Sequence, residues 1–207
     1  MGIEQYHQQL REQKKSAAMT AASELFLTQG YKNTSLQQIA RQADVSTATL
    51  FKNFPTKAAL LEAIVENFWQ SDVKCDAPPD ASVEPSKVFF KIGVDYARRM
   101  RSPEMQAFYR LVISEAVDFP DLGAALYDKG KGAVIERLEA YLAKEKAAGR
   151  FSGEASTAAN QFLAVIAGQV FWPELITKGC GGTDAEMEDV VRDAAELVMT
   201  RYFSAVK

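Results

Sequence analysis

Along the chain, apolar side chains recur every three to four residues, and no stretch alternates convincingly in the manner of a strand. The pattern predicts an all-α protein of about nine helices. The first helix is expected over Arg11–Gln29, burying Ala18, Ala22, Leu25 and Phe26, with Gly30 as its stop. Thr34-Ser35-Leu36-Gln37 reads as a capping box, with Thr34 as the N-cap and Gln37 at N3. It opens a short helix that turns Leu36, Ile39, Ala40 and Ala43 inward. Ala43-Asp44-Val45 is the turn, and Ser46 caps a third helix from Thr47 to about Asn53. Phe54-Pro55-Thr56 breaks the chain, and Thr56 caps a fourth helix, Lys57 to about Lys74.

The clearest internal boundary is Cys75–Pro85, where Asp76-Ala77-Pro78-Pro79-Asp80 cannot continue a helix. Helices follow at Pro85–Arg101 and Pro103–Ala116, the second capped by Ser102 with Pro103 at N1. A longer helical stretch opens at Pro120 and runs to Ala148, with an interruption near Gly130 and Gly132, and stops at Gly149. The last two helices are expected at Glu154–Lys178, kinked by Trp172-Pro173, and at Asp184–Ala205. Gly179-Cys180-Gly181-Gly182 joins them.

The informative stretch is Thr34 to Lys57. Two short helices joined by a three-residue turn make the pattern of a helix-turn-helix. Ile39, Ala40, Val45 and Leu50 are the apolar contacts such a pair needs, and Ala40 is small where the helices cross. The second helix then enters a major groove with its N-terminal residues toward base edges. Those residues are Thr47, Ala48, Thr49 and Lys52, which are small or carry donors.

This segment resembles the DNA-binding domain of the TetR family of regulators. The residues that carry the resemblance are Ala22-x-x-Leu25-Phe26-x-x-x-Gly30-Tyr31, Thr34, Ile39-Ala40, Ala43-x-Val45-Ser46, Thr49-Leu50-Phe51, Phe54 and Lys57. The resemblance implies that Thr34 and Lys57 hold phosphates at the starts of the second and fourth helices, and that Thr47, Ala48, Thr49 and Lys52 read bases. Ser46 and Phe51 complete the DNA-facing set. Two positions depart from the family pattern. Phe51 stands where Tyr is usual, so a hydroxyl donor is missing, and Asp44 stands where Gly is common, which brings a negative charge toward DNA.

The resemblance also implies a division into a DNA-binding domain, 1–56, and a larger helical domain, 57–207, for ligand binding and dimerisation. A homodimer through the last two helices is expected, and two rows of small and aliphatic residues support it. One row is Ala155, Ala158, Ala159, Ala167 and Gly168; the other is Val190, Val191, Ala194, Leu197 and Val198. Packing inside one chain accounts for about half of such positions. Phe90, Tyr96, Met100, Phe108, Tyr109, Phe162 and Trp172 are the candidate lining of a pocket for a small apolar or aromatic effector, with core filling as the alternative for each. Arg110 and Glu115 are polar residues that could orient such a ligand. The stretch Phe108–Leu122 resembles a subset of these regulators linked to efflux or stress control. The implied function is a bacterial cytoplasmic repressor, released from a palindromic double-stranded operator by its effector. The alternative is a helical interaction module that has lost specific DNA binding.

Composition agrees with this reading. The chain is 47% hydrophobic and 25% charged, enough apolar material for a core without disulfides or metals. Net charge is −3, yet residues 1–60 hold seven Lys and Arg against four Asp and Glu, a basic head on an acidic body. Charge alone does not separate phosphate contact from chance. Cys75 and Cys180 lie far apart and no zinc spacing occurs. No signal peptide or membrane span is expected. The one histidine, His7, is expected in a mobile tail, so no Ser-His-Asp or Cys-His set can be assembled. No enzyme activity, cofactor or metal is expected.

Overall fold

A computed structural model describes residues 2–70 and 83–203 of the chain. Its elements are α1 (Ile3–Gln29), α2 (Leu36–Gln42), α3 (Thr47–Asn53), α4 (Lys57–Gln70), α5 (Pro85–Arg101), α6 (Pro103–Glu115), α7 (Pro120–Leu126), α8 (Ala133–Ala147), α9 (Ala155–Ile166), α10 (Trp172–Ile176) and α11 (Asp184–Tyr202). A π-helical turn, Tyr127–Gly132, makes α7 and α8 one continuous helix, and a second, Ala167–Phe171, does the same for α9 and α10. Counted that way there are nine helices among the described residues, and the fold is all-α. The boundary segment at Cys75–Pro85 and the end of the fourth helix beyond Gln70 lie largely outside the described residues.

Both π-helical turns fall where the sequence disfavours a regular helix. The first contains Gly130 and Gly132, which give a helix little intrinsic support. The second ends immediately before Trp172-Pro173, where the proline lacks the N–H of a regular helical bond and its ring would crowd the carbonyl four residues earlier. The widened turn absorbs both problems and lets the helix continue.

The chain gathers into two compact units. The first takes Met1–Ser71 with Ala107–Gly130, and the second takes Asp72–Gln106 with Lys131–Lys207. In the first unit, Ala18, Ala22, Leu25 and Phe26 of α1 pack with Ile39, Leu50, Leu60 and Leu61, all buried. Helix α1 begins at Ile3, about two turns before the expected start, so His7 stands on a helix and not in a mobile tail. The residues before Arg11 carry no apolar stripe to signal helix. They are Gln, Glu and other helix-tolerant types with no breaker, and nucleation by the packed half extends through them.

In the second unit α5 is crossed closely by α9 and α11. A methyl group on Gly93 would lie 2.6 Å from Val191 and 2.8 Å from Phe162, so any larger residue here forces a neighbouring side chain to shift. Phe89 meets Phe162 edge-on at 4.9 Å between centroids. Glu145, fully buried, accepts two bonds from the Arg150 guanidinium at 2.7 and 2.8 Å, which satisfies an otherwise costly interior charge. Helix α9 is capped by the Glu154 carboxylate, which accepts from the amides of Ser156 and Thr157. Helix α11 is closed by a capping box between Thr183 and Glu186. Glu174 gathers the amides of Gly179 and Gly181 at 3.0 and 2.8 Å and so orders the glycine-rich link.

Candidate nucleic-acid interface

The α2–turn–α3 segment is built by local hydrogen bonds that its sequence dictates. Ser35, not Thr34, is the N-cap of α2. Its hydroxyl accepts from the Gln38 amide, and the Gln38 side chain returns a bond from the Ser35 amide at 2.7 Å. The box thus sits one residue later than expected, because Thr34-x-x-Gln37 and Ser35-x-x-Gln38 both fit the pattern. Burial decides between them. Thr34 is only 2% exposed and its hydroxyl donates to the carbonyls of Gly30 at 2.8 Å and Leu25 at 3.3 Å, tying the loop to the end of α1. Direct phosphate bonding by that hydroxyl would require this donation to be broken.

The turn is a Schellman motif. The Val45 amide donates to the Ala40 carbonyl and the Asp44 amide to the Arg41 carbonyl, with Asp44 at φ +52°. Asp44 is the one non-glycine residue at positive φ among the described residues, in the position where Gly would be unstrained. Ser46 then caps α3, accepting from the Thr49 amide at 3.1 Å, and the Ser46 and Thr49 hydroxyls lie 2.8 Å apart. Leu50 turns into the core, 1% exposed, which fixes the rotation of α3. Thr47, Ala48, Phe51 and Lys52 consequently face solvent, with Thr49 half-buried. Phe51 is 43% exposed, unusual for an aromatic ring on a free surface.

Lys57, at the start of α4, is held from within the first unit. Its ammonium donates to the Tyr31 carbonyl at 2.7 Å and lies 4.4 Å from the centre of the Tyr31 ring. Burial lowers its pKa, opposed in part by the nearby Glu115 carboxylate. Tyr31 in turn meets Phe26 at 5.1 Å and Phe119 at 5.2 Å between centroids. Burial, with Asp121 and Glu115 nearby, pushes its phenol up to about 12. Glu115 accepts from the Lys32 amide at 3.4 Å and closes over Gly30, whose φ of +84° excludes other residues. The α1–α2 loop, the start of α4 and the segment after α6 therefore meet at one corner. Sequence reasoning had placed Glu115 beside a ligand and had no signal for this corner. The Tyr31 and Phe119 rings were visible, but their pairing is a long-range contact.

The candidate effector residues are distributed through both units. Tyr96, Met100 and Phe162 are buried in the second, and Phe108 is buried in the first. Phe90 is half-buried under the Arg192 guanidinium, 5.6 Å from the ring centre. Tyr109 is also half-buried, and burial pushes its phenol up to about 12. Trp172 is 48% exposed, with its edge against Phe171. Of the small-residue rows, Ala158, Ala159, Val191, Ala194 and Val198 are buried inside the protomer, while Gly168 and Leu197 face outward. No group of three or more His, Cys, Asp or Glu is placed to hold a metal among the described residues, and no helix there is long and apolar enough to cross a membrane.

Comparison with known proteins assigns this architecture. Residues 18–64 match the description "Bacterial regulatory proteins, tetR family", and residues 87–204 match "AefR-like transcriptional repressor, C-terminal domain". The HTH-type transcriptional regulator RutR of Escherichia coli K12 is 33% identical over 125 residues, covering 56% of this chain and 58% of RutR. The HTH-type transcriptional regulator SrpR of Pseudomonas putida is 28% identical over 107 residues, 52% of this chain and 49% of SrpR. The chain thus spans about half the length of these curated relatives. Among solved structures, the flavonoid-responsive regulator FrrA is similar with a TM-score of 0.77 and 29% identity, over 93% of this chain and 98% of its own. With a family match at both ends and a helix-turn-helix of this geometry between Ser35 and Asn53, the chain belongs to the TetR family of DNA-binding transcriptional regulators.

Proposed function

We propose that the protein is a homodimeric repressor in the bacterial cytoplasm that occupies a palindromic operator and leaves it when a small apolar or aromatic effector binds. The observation that carries the reading is the rotation of α3. With Leu50 inside, Thr47, Ala48 and Lys52 form one solvent-facing edge beginning at the helix N-terminus, the end that reaches base edges in a major groove. Ser46 and Thr49 hold that end in shape, and Phe51 offers an apolar surface suited to thymine methyl groups. Thr34 and Lys57 serve phosphate contact by bracing the loop at 31–35, Thr34 to the end of α1 and Lys57 to the start of α4. Residues 1–56 are the reading head in this account, and 57–207 hold the effector and the dimer contact.

The outward Gly168 in the π-helical turn at Ala167–Phe171, Trp172 and Ile176 on α10, and Leu197 on α11 support pairing of these elements with a second copy. Tyr96, Met100 and Phe162 supply aromatic and thioether surface for an effector, and the likeness to a flavonoid-responsive regulator supports an aromatic one. An effector shifts the population between head spacings. The segment Ala107–Gly130 carries the shift, because it clusters with the reading head while both its ends continue into the second unit.

Footprinting on bound genomic fragments tests this. Protection should cover an inverted repeat with half-site centres about 34–36 Å apart. It should fade when the right member of a panel of phenols, aromatic acids and a flavonoid such as quercetin is added. Protection of a single half-site contradicts the dimer, and full protection with every compound contradicts release by an aromatic effector.

A further inference from the structure

The first turns of α1 do not pack on the core. Residues 4–9 are exposed, and burial begins in earnest at Ala18. The helix from Ile3 to Lys14 is about 17 Å long at 1.5 Å per residue. It runs alongside α3, and a groove between the two is lined by His7, Leu10, Arg11, Lys14, Thr49, Lys52 and Asn53.

That lining holds three permanent cations, Arg11, Lys14 and Lys52, and no carboxylate. On α1, His7, Arg11 and Lys14 are spaced i, i+4, i+7 and share a face. The acid next to Arg11, Glu12, stands about 100° round the helix and outside this lining. Glu4 and Glu12 line an adjoining pocket, which shares His7 and Arg11 with this groove. The groove is continuous with α3, since Thr49 and Lys52 belong to both.

We propose that this α1 overhang is a second DNA contact, a clamp for the sugar-phosphate backbone flanking the base pairs that α3 reads. Arg11 and Lys14 grip phosphates from one side of the groove and Lys52 from the other. The occupant is a duplex backbone because the surface is cationic, polar and adjacent to the groove-reading edge. Backbone contact positions the protein without reading sequence, so the overhang adds affinity and length of footprint and leaves base preference to α3. The inference rests on the DNA-binding reading of α3.

The test uses the full-length protein and the duplex recovered by selection from genomic fragments, with anisotropy over a salt series. The variant Arg11→Gln/Lys14→Gln keeps good helix formers at exposed positions, and circular dichroism checks its helicity. Relative to wild type, the slope of log affinity against log salt should become shallower by about two per half-site, with affinity about 10-fold lower or more at 0.15 M salt. Preference for the selected over a scrambled duplex should persist. Arg11→Lys/Lys14→Arg should restore both slope and affinity. Trimming the flanking base pairs should weaken wild type and leave the glutamine variant unchanged. An unchanged slope in the glutamine variant, with wild type still sequence-selective, overturns the clamp alone. Absence of selective binding by wild type overturns the clamp together with the reading it rests on.

Discussion

Asp44 takes φ +52° in the turn between α2 and α3, a conformation that costs an L-residue roughly 1 kcal/mol and a glycine almost nothing. Asp44→Gly should therefore raise stability by up to about 1 kcal/mol in denaturant melts, and Asp44→Val should lower it by more than that. Removing the charge should also tighten DNA binding; weaker binding by the glycine variant would contradict the placement of this turn near phosphate. The strained position was legible because the turn is local and Asp stands where the family pattern has Gly. The cap at Thr34 was misread for a reason of the same scale. Thr34-Ser35-Leu36-Gln37-Gln38 satisfies a capping box in two registers, and burial of Thr34 under the end of α1 selects the second. That burial is a tertiary fact, invisible in a five-residue window. Lys57 shows the same limit: its position was legible, its hold on the Tyr31 carbonyl was not.

Helix boundaries with a cap, a proline or a glycine were legible in the chain. Pro85–Arg101 and the Ser102-Pro103 start of α6 follow directly from such signals. The start of α1 was not, since its first turns have no buried face and only packing downstream anchors them. Two elements invite tests. Gly93→Ala places a methyl group against Val191 and Phe162 and should destabilise by about 1–3 kcal/mol, lowering Tm. An unchanged Tm would mean that α5, α9 and α11 are not so closely crossed. Glu154 and Glu186 hold the starts of α9 and α11, and hydrogen bonds from Thr157 and Thr183 respectively depress their folded pKa values. Their contribution is present above the unfolded carboxylate range, about 4.3, and is lost as pH falls through the lower folded values. Glu154→Gln/Glu186→Gln should thus flatten the acid limb of a stability–pH curve, measured by urea melts between pH 6 and about 3; a limb as steep as wild type would refute that role.

At the scale of the molecule, the fold class, the helix count and the location of the reading helix could be read from the sequence, because helical period and a helix-turn-helix are local signatures. Which small residues of α11 and of the continuous α9–α10 helix point outward could not. Ala158 and Gly168 look alike in a list of small residues, but one is fully buried and a methyl group at the other would meet no atom within 4 Å among the described residues. Gly168→Leu should accordingly leave the folded protomer intact and prevent close approach of a second copy, giving a monomer by light scattering with much weakened operator binding. A stable dimer of this variant would move the interface elsewhere.

The central claim is that α3 reads DNA sequence, and it is tested most directly by selecting genomic fragments with the purified protein. Anisotropy is then measured on the recovered duplex and a scrambled one over a salt series. The account predicts tight, selective binding to an inverted repeat, weakening linearly in log salt as phosphate contacts require. Weak binding that is equal on both duplexes would contradict it. Asp44 and Phe51 would then be disabling changes, and the chain a TetR-family scaffold turned to another partner.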